Sequence, residues 1–159
     1  MKSIANLHCG GAIDVDLTFG QGGIYLKTDI LPWIRIDKRK GGNIVADIRF
    51  GVPLPPLSVD SVVFDPPFIV RRNWRLKKHW IFDKYTAYDC VDEGIAFLTC
   101  GIAEAHRILR KKGKLVVKIQ NCSLGDGRTF WASQKVFQLA LELGFTAIDQ
   151  IIEVSPVPK

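Results

Sequence analysis

The chain has 159 residues, 47% hydrophobic and 24% charged, which suits one globular domain with a buried core. Its formal net charge of +6 leans towards a polyanionic partner without requiring one. Cys9, Cys90, Cys100 and Cys122 stand far apart with no Cys-x-x-Cys spacing, and His8, His79 and His106 are equally scattered. That pattern argues against a metal site and against a disulfide framework, and reduced thiols of a cytoplasmic protein are the expectation. The start, Met1-Lys2-Ser3, lacks the apolar core of a signal peptide, and the most apolar run, Gly94 to Ala103, is too short to span a bilayer, so no membrane association is expected.

In chain order, Ala12 to Asp16 predicts a short strand, followed by Phe19, the glycines 20, 22 and 23, and a short helical stretch from Ile24 to Ile30. Strand, glycine cluster and helix form the first βα turn of a doubly wound sheet, where glycines let the backbone approach a ligand closely. Trp33 to Ile36 predicts a second strand ending at Asp37, 21 residues beyond Asp16. A carboxylate at that tip can accept from both hydroxyls of a ribose. Asn43 to Asp47 predicts a third strand with an acid at its end, and Gly51 to Pro56 is a proline-rich connection that cannot be helix.

The fourth predicted strand, Ser61 to Phe64, runs into Asp65-Pro66-Pro67-Phe68. Two successive prolines stop the ladder, and the first pushes Asp65 into extended geometry. An Asp65 oxygen and the Pro66 carbonyl then form two fixed acceptors beside the flat face of Phe68, an arrangement suited to a planar base with an exocyclic amino group. Acids thus end four successive strand-like runs, at Asp16, Asp37, Asp47 and Asp65. In an open α/β sheet ligands bind at the carboxyl ends of the strands, where all four would lie.

Ile69 to Tyr88 follows, with Arg71, Arg72, Trp74, Arg75, Lys77 and Lys78 among its cations and aromatics. Six positive charges against one negative between positions 69 and 84 give +5. Cations interleaved with aromatics suit phosphates and exposed bases, so a substrate-contacting loop is expected at about 69–90. Asp89 to Leu109 has helical spacing, stopped by Arg110-Lys111-Lys112-Gly113. Lys114 to Gln120 predicts a fifth strand, Ser123 to Arg128 a loop, Trp131 to Leu143 a helix stopped by Gly144, and Phe145 to Val154 a sixth strand.

Asp65-Pro66-Pro67-Phe68, together with the Asp16-to-Gly22 turn, resembles the motifs of the amino methyltransferases, the S-adenosylmethionine (SAM) dependent enzymes that methylate exocyclic nitrogens of nucleic-acid bases. The resemblance covers about residues 12 to 152. It implies a single class I methyltransferase domain over 1–159, Rossmann-like, α/β and doubly wound around a mostly parallel sheet. It implies a SAM site in which Asp16 holds the methionine ammonium while Phe19, Gly20 and Gly22 line the ligand. Asp37 would take the ribose, Asp47 would accept from the adenine amino group, and Ile48 would pack on its ring. Asp65, Pro66, Pro67 and Phe68 would be catalytic, and the positions from Arg71 to Lys78 named above would bind nucleic acid. Adenine N6 in DNA is the first choice of target, with guanine N2 of RNA and cytosine N4 as alternatives. In motif order and size the chain is most similar to small, often phage-associated orphan DNA methyltransferases.

The chain also departs from that family. Within these 159 residues no stretch reads as its last antiparallel strand or as a separate target-recognition domain, and the segment before the first strand is short, so a fold that lacks or shortens that strand is expected. A second copy or a protein partner would then cover the exposed sheet edge. The same departures leave open a nucleic-acid-binding protein without catalysis and a subunit that works only with a partner.

Overall fold

Val59–Phe64 carries the architecture: five of its six residues are buried, and the other elements are arranged about it. The computed structural model describes residues 1–39, 41–70, 87–124 and 127–153. Its elements are α1 (Lys2–His8), β1 (Val15–Asp16), β2 (Ile34–Asp37), β3 (Ile44–Val45), β4 (Val59–Phe64), β5 (Ile69–Val70), β6 (Ala87–Tyr88), α2 (Val91–Ile108), β7 (Leu109–Val117), β8 (Cys122–Ser123), β9 (Thr129–Phe130) and α3 (Ala132–Glu142). Single 3-10 turns lie at Gly23–Tyr25 and Ile48–Phe50.

Among the described residues one five-stranded sheet has the order β3-β2-β1-β4-β7, and every pairing in it is parallel. The chain steps outward from β1 to β2 and β3, then returns to the other side of β1 for β4 and β7. The reversal falls between β1 and β4, a switch point where the loops leaving two neighbouring strands part and open a crevice. Parallel strands need cover on both faces. Alternate residues of β4 provide it: Val62 and Phe64 join the cluster that includes Leu98, Ile102 and Ala105 of α2, whereas Val63 joins Ala5 of α1 and Ile13. The fold is therefore α/β with a parallel sheet, and no described helix is long and apolar enough to cross a membrane.

Helix α2 is delimited as its sequence suggests. Cys90 Sγ accepts from the Glu93 N–H at 3.4 Å and the Glu93 carboxylate accepts from the Asp89 N–H at 2.7 Å, a reciprocal cap, with Asp92 and Glu93 in the first turn and His106 and Arg107 in the last. Gly101 permits its close approach to the sheet, because a Cβ there would clash with the outer edge of the Phe64 ring. Glu104 accepts from the Val52 N–H at 2.6 Å and from Arg107, whose guanidinium donates to the Val52 and Leu54 carbonyls. The proline-rich connection is thereby fastened to α2 without any secondary structure of its own.

Four sequence expectations need correction. Phe145 to Glu153 forms no strand; Val154 lies outside the described residues. Among the described residues the outer edge of β7 stays unpaired and this segment does not join it, and Ile148, Ile151 and Ile152 stand exposed. The stretch Ile24 to Ile30 is no helix beyond Tyr25, because the Thr28 hydroxyl donates to the Tyr25 and Ile30 carbonyls and accepts from the Ile30 N–H, closing a turn that competes with helix. The strand expected from Lys114 begins at Leu109, directly from the helix, and the left-handed residue there is Lys112 (φ 68°) rather than Gly113. The loop expected over Ser123 to Arg128 is flanked by a small antiparallel ladder, β8 with β9. Gly144 does end α3 in the left-handed region, at φ 90°, with Phe145 N–H donating to the Ala140 carbonyl.

Candidate active site

At the carboxyl end of β1, Asp16 is only 1% exposed. Its Oδ1 accepts the Thr18 N–H and its Oδ2 the Tyr25 hydroxyl, both at 2.8 Å. Burial pushes the Asp16 carboxyl up to about 7 against these two hydrogen bonds, with the fields of Asp65 and Asp37 adding to the rise. Burial raises Tyr25 as well, with Asp16 adding to it. Phe19 stacks on Tyr25 at 5.9 Å between ring centres, and the Arg35 guanidinium lies 5.7 Å from the other ring partner's centre, that of Phe19.

The glycine turn is held from both flanking strands. Leu17 N–H donates to the Val63 carbonyl at 3.0 Å, Phe19 N–H to the Ile36 carbonyl at 2.9 Å, and Gly20 N–H to Asp37 Oδ2 at 3.0 Å. Gly20 (φ 56°) and Gly22 (φ 69°) are left-handed, a conformation an L side chain rarely takes. A Cβ on Gly22 would strike the Phe19 ring, whereas one on Gly20 would find only the Thr18 carbonyl, at 3.9 Å. The Cβ direction of Gly20 is therefore open, while its carbonyl is packed against Gly41.

Three of the four strand-ending acids bond the N–H two residues on: Asp16 to Thr18, Asp37 to Arg39 at 2.8 Å, and Asp47 to Arg49 at 3.0 Å. This is local turn chemistry of the kind Asp favours. Asp47 goes further, since the Arg49 guanidinium takes both of its oxygens, at 2.6 Å for the shortest contact, and holds its carboxyl below the ordinary range. Ile48 is buried in the main core.

At the end of β4 the Asp65 N–H donates to Thr18 Oγ1 at 2.9 Å. Pro66 is buried, while Pro67 and Phe68 are half-buried. The Asp65 side chain is 25% exposed, and Lys118 Nζ reaches its Oδ1 at 3.4 Å. Burial raises the Asp65 carboxyl, and Lys118 opposes the rise. Lys118 is placed there by its own N–H, which donates to the Phe64 carbonyl at 3.0 Å and so carries the β4–β7 pairing to the sheet end.

Asp16, Phe19, Gly20, Gly22, Asp37 and Asp65 are thus joined through a continuous set of hydrogen bonds at the switch point. Asp47 and Ile48 lie one strand further out, behind the bond from Ala46 N–H to the Asp37 carbonyl. Arg71, Arg72, Trp74, Arg75, Lys77 and Lys78 lie outside the described residues. Sequence reasoning did not anticipate Thr18, Tyr25 or the pairing of Asp65 with Lys118. The Asp-x-Thr spacing signals the local turn, but nothing in sequence announces that the same threonine reaches 47 residues along the chain. Compared with known proteins, the chain matches no family model and no curated sequence.

Proposed function

We propose that this chain is a class I methyltransferase that uses SAM to methylate an exocyclic amino group of a nucleic-acid base, adenine N6 in DNA before guanine N2 of RNA or cytosine N4. The observation that carries this reading is the bond between Thr18 Oγ1 and the Asp65 N–H, which joins a ligand-approachable glycine turn to an Asp-Pro-Pro-Phe motif at the sheet's switch point.

The residues suit SAM in part. The left-handed Gly20 leaves room for close approach, and the acids Asp16 and Asp37 suit a ligand carrying sulfonium and ammonium charges. Asp37 keeps lone pairs for ribose hydroxyls beyond those it gives to Gly20 and Arg39. Asp16 would hold an ammonium only by sharing its oxygens with Thr18 and Tyr25, and Asp47 would accept an adenine amino group only after Arg49 swings aside. When bound, SAM supplies an electrophilic methyl group.

Asp65 and the Pro66 carbonyl accept the two amine hydrogens and so aim the nitrogen lone pair, while Phe68 stacks on the base. Lys118 favours the carboxylate form of Asp65, the form that accepts. The nitrogen would take the methyl as the methyl's bond to the sulfonium sulfur breaks and a neutral thioether is released, and the amine proton this makes acidic would pass to Asp65 or to water. Positioning carries most of the rate in such a displacement. Transfer of a radiolabelled methyl group from SAM to DNA and RNA polymers tests the reading. Wild type should label nucleic acid, Asp65→Ala should not, and digestion to nucleosides then names the base; a wild type that labels neither polymer would overturn it.

A partner-dependent subunit of the same fold is the second reading. The outer edge of β7, unpaired among the described residues, and the exposed Ile148, Ile151 and Ile152 favour it, as a parallel edge and apolar surface that a second copy or a protein partner would cover.

A further inference from the structure

A pocket of about 510 Å³ lies beyond the Asp65 motif, with Val70 of β5 and Asp89 on one side and Leu124, Arg128, Phe130 and Trp131 on the other. Both walls leave the sheet from the same place. The first is the continuation of β4 through Asp65-Pro66-Pro67-Phe68 into β5, which pairs parallel with β6. The second is the continuation of β7 past Lys118 into the β8–β9 ladder. Val70 is five residues from Asp65, a span of at most about 18 Å, which places the pocket within a few nucleotide lengths of the Asp65 carboxylate.

The second wall is firmly footed. Asn121 Oδ1 accepts both the N–H and the hydroxyl of Ser133, at 3.0 and 2.9 Å, tying the start of the ladder to the first turn of α3. Leu124 N–H donates to the Arg128 carbonyl at 2.9 Å and closes the turn. Trp131, between the ladder and the helix, lines the pocket and is 56% exposed, so its ring can be reached by a ligand there.

We infer that this pocket holds a nucleotide flanking the target in a single-stranded nucleic acid, with its base stacked on Trp131. The size suits a base, and the aromatic ring offers a π face that any base can use. Asp89 suits the amino or imino hydrogens of a base edge and would repel a phosphate, which sets the nucleotide's orientation. The inference rests on the proposed nucleic-acid activity but concerns binding, so it can be read without methyl transfer.

Fluorescence anisotropy with labelled 12-nucleotide single-stranded DNA and RNA of the same sequence gives the test, on wild type and on Trp131→Ala, Trp131→Leu and Trp131→Phe. Because loss of a stacked base weakens binding by about 5- to 150-fold, the Ala and Leu variants should fall in that range and the Phe variant should stay within about threefold of wild type. The salt dependence should be unchanged, since no phosphate contact is removed. A Trp131→Ala variant that binds as wild type does overturns the pocket assignment alone. Tight binding by the Leu variant also overturns it, by showing bulk rather than stacking. A wild type that binds neither polymer overturns the nucleic-acid activity together with the pocket, and comparison of the two polymers names the one that is bound.

Discussion

Thr18 Oγ1 accepts the main-chain N–H of Asp65 at 2.9 Å, while the N–H of the same threonine donates to Asp16 Oδ1 at 2.8 Å. One residue therefore sets the geometry of the glycine turn through its backbone and that of the proline motif through its side chain. The loops at the ends of these two adjacent strands are thereby tied to each other through a single side chain.

Thr18→Val keeps the shape and the bond to Asp16 but leaves the Asp65 N–H without its acceptor. A part-buried donor left unsatisfied costs about 1–3 kcal/mol. Because placement of the reacting groups governs the rate, methyl transfer should fall roughly 10- to 100-fold with KM for nucleic acid nearly unchanged. Thr18→Ser retains the oxygen and should recover most of the loss. Steady-state kinetics on the two variants, with thermal melts beside them, separates this positional role from a general loss of fold.

Lys118 makes a second prediction, in pH. Asp65 is raised by burial and held down by Lys118, and its own field adds to the rise of Asp16. Lys118→Met removes the stabilising charge that faces the Asp65 carboxylate among the described residues, so that carboxyl should titrate higher. If ionised Asp65 is the active form, the acidic limb of kcat/KM should move to higher pH in the variant. A lysine that merely packs against the sheet end would lower the plateau and leave the limb where it was.

The Asp16 carboxyl gives a stability prediction whose sign can be worked out. Its value is raised from 3.8 to about 7 in the folded chain, so between those values the folded state holds a proton that the unfolded state has lost. Stability from this group is therefore greatest near pH 4, falls as pH rises, and levels off above about 7. At about 1.4 kcal/mol per pH unit the fall has an upper limit of about 4 kcal/mol. Asp16→Asn can still accept from Thr18 and can donate to the Tyr25 oxygen, so the variant should be more stable than wild type at pH 8 and about equal near pH 4 by urea denaturation. A loss of SAM affinity in the same variant, by calorimetry, would assign the carboxylate its role in holding the ammonium.

What sequence made legible was what local chemistry decides. The four strand-ending acids, the parallel order they imply and the two long helices follow from hydrophobic runs, proline stops and capping residues, and Asp16, Asp37 and Asp65 do converge at the ends of adjacent strands. The failures share a different cause. Phe145 to Glu153 has an apolar content compatible with a strand, but pairing is decided by contacts remote in sequence, and among the described residues the segment joins neither β7 nor any other strand. Asp47 ends its strand as expected, yet Arg49, two residues on, takes its oxygens; the spacing was visible, but the outcome depended on a side-chain rotamer. Thr18 and Lys118 gain their roles from parallel pairing that aligns residues about fifty positions apart, and no window on the sequence contains both partners.

The last prediction tests the packing that sets the end of β4. In α2, Gly101 lies against Phe64, the residue just before Asp65, and an added Cβ would overlap the ring. Phe64 is fully buried between α2 and the sheet, with Phe97 stacked 6.1 Å away, so its ring cannot swing clear. Gly101→Ala has two opposed effects. Alanine favours a helix interior over glycine by about 1 kcal/mol, whereas overpacking a close-fitted core costs about 1–3 kcal/mol and sometimes more. Since the clash is with a ring that has no free volume, the second effect should win and the variant should lose roughly 1–2 kcal/mol in urea denaturation. A Gly101→Ala variant that is more stable than wild type would show that the helix can move away from the strand. If the helix stands off instead, Phe64 shifts with Asp65 attached to it, and methyl transfer should drop more than stability does. Gly94→Ala, on the same helix but against Tyr88 rather than Phe64, provides the comparison, because its strain falls on β6 and leaves the end of β4 in place.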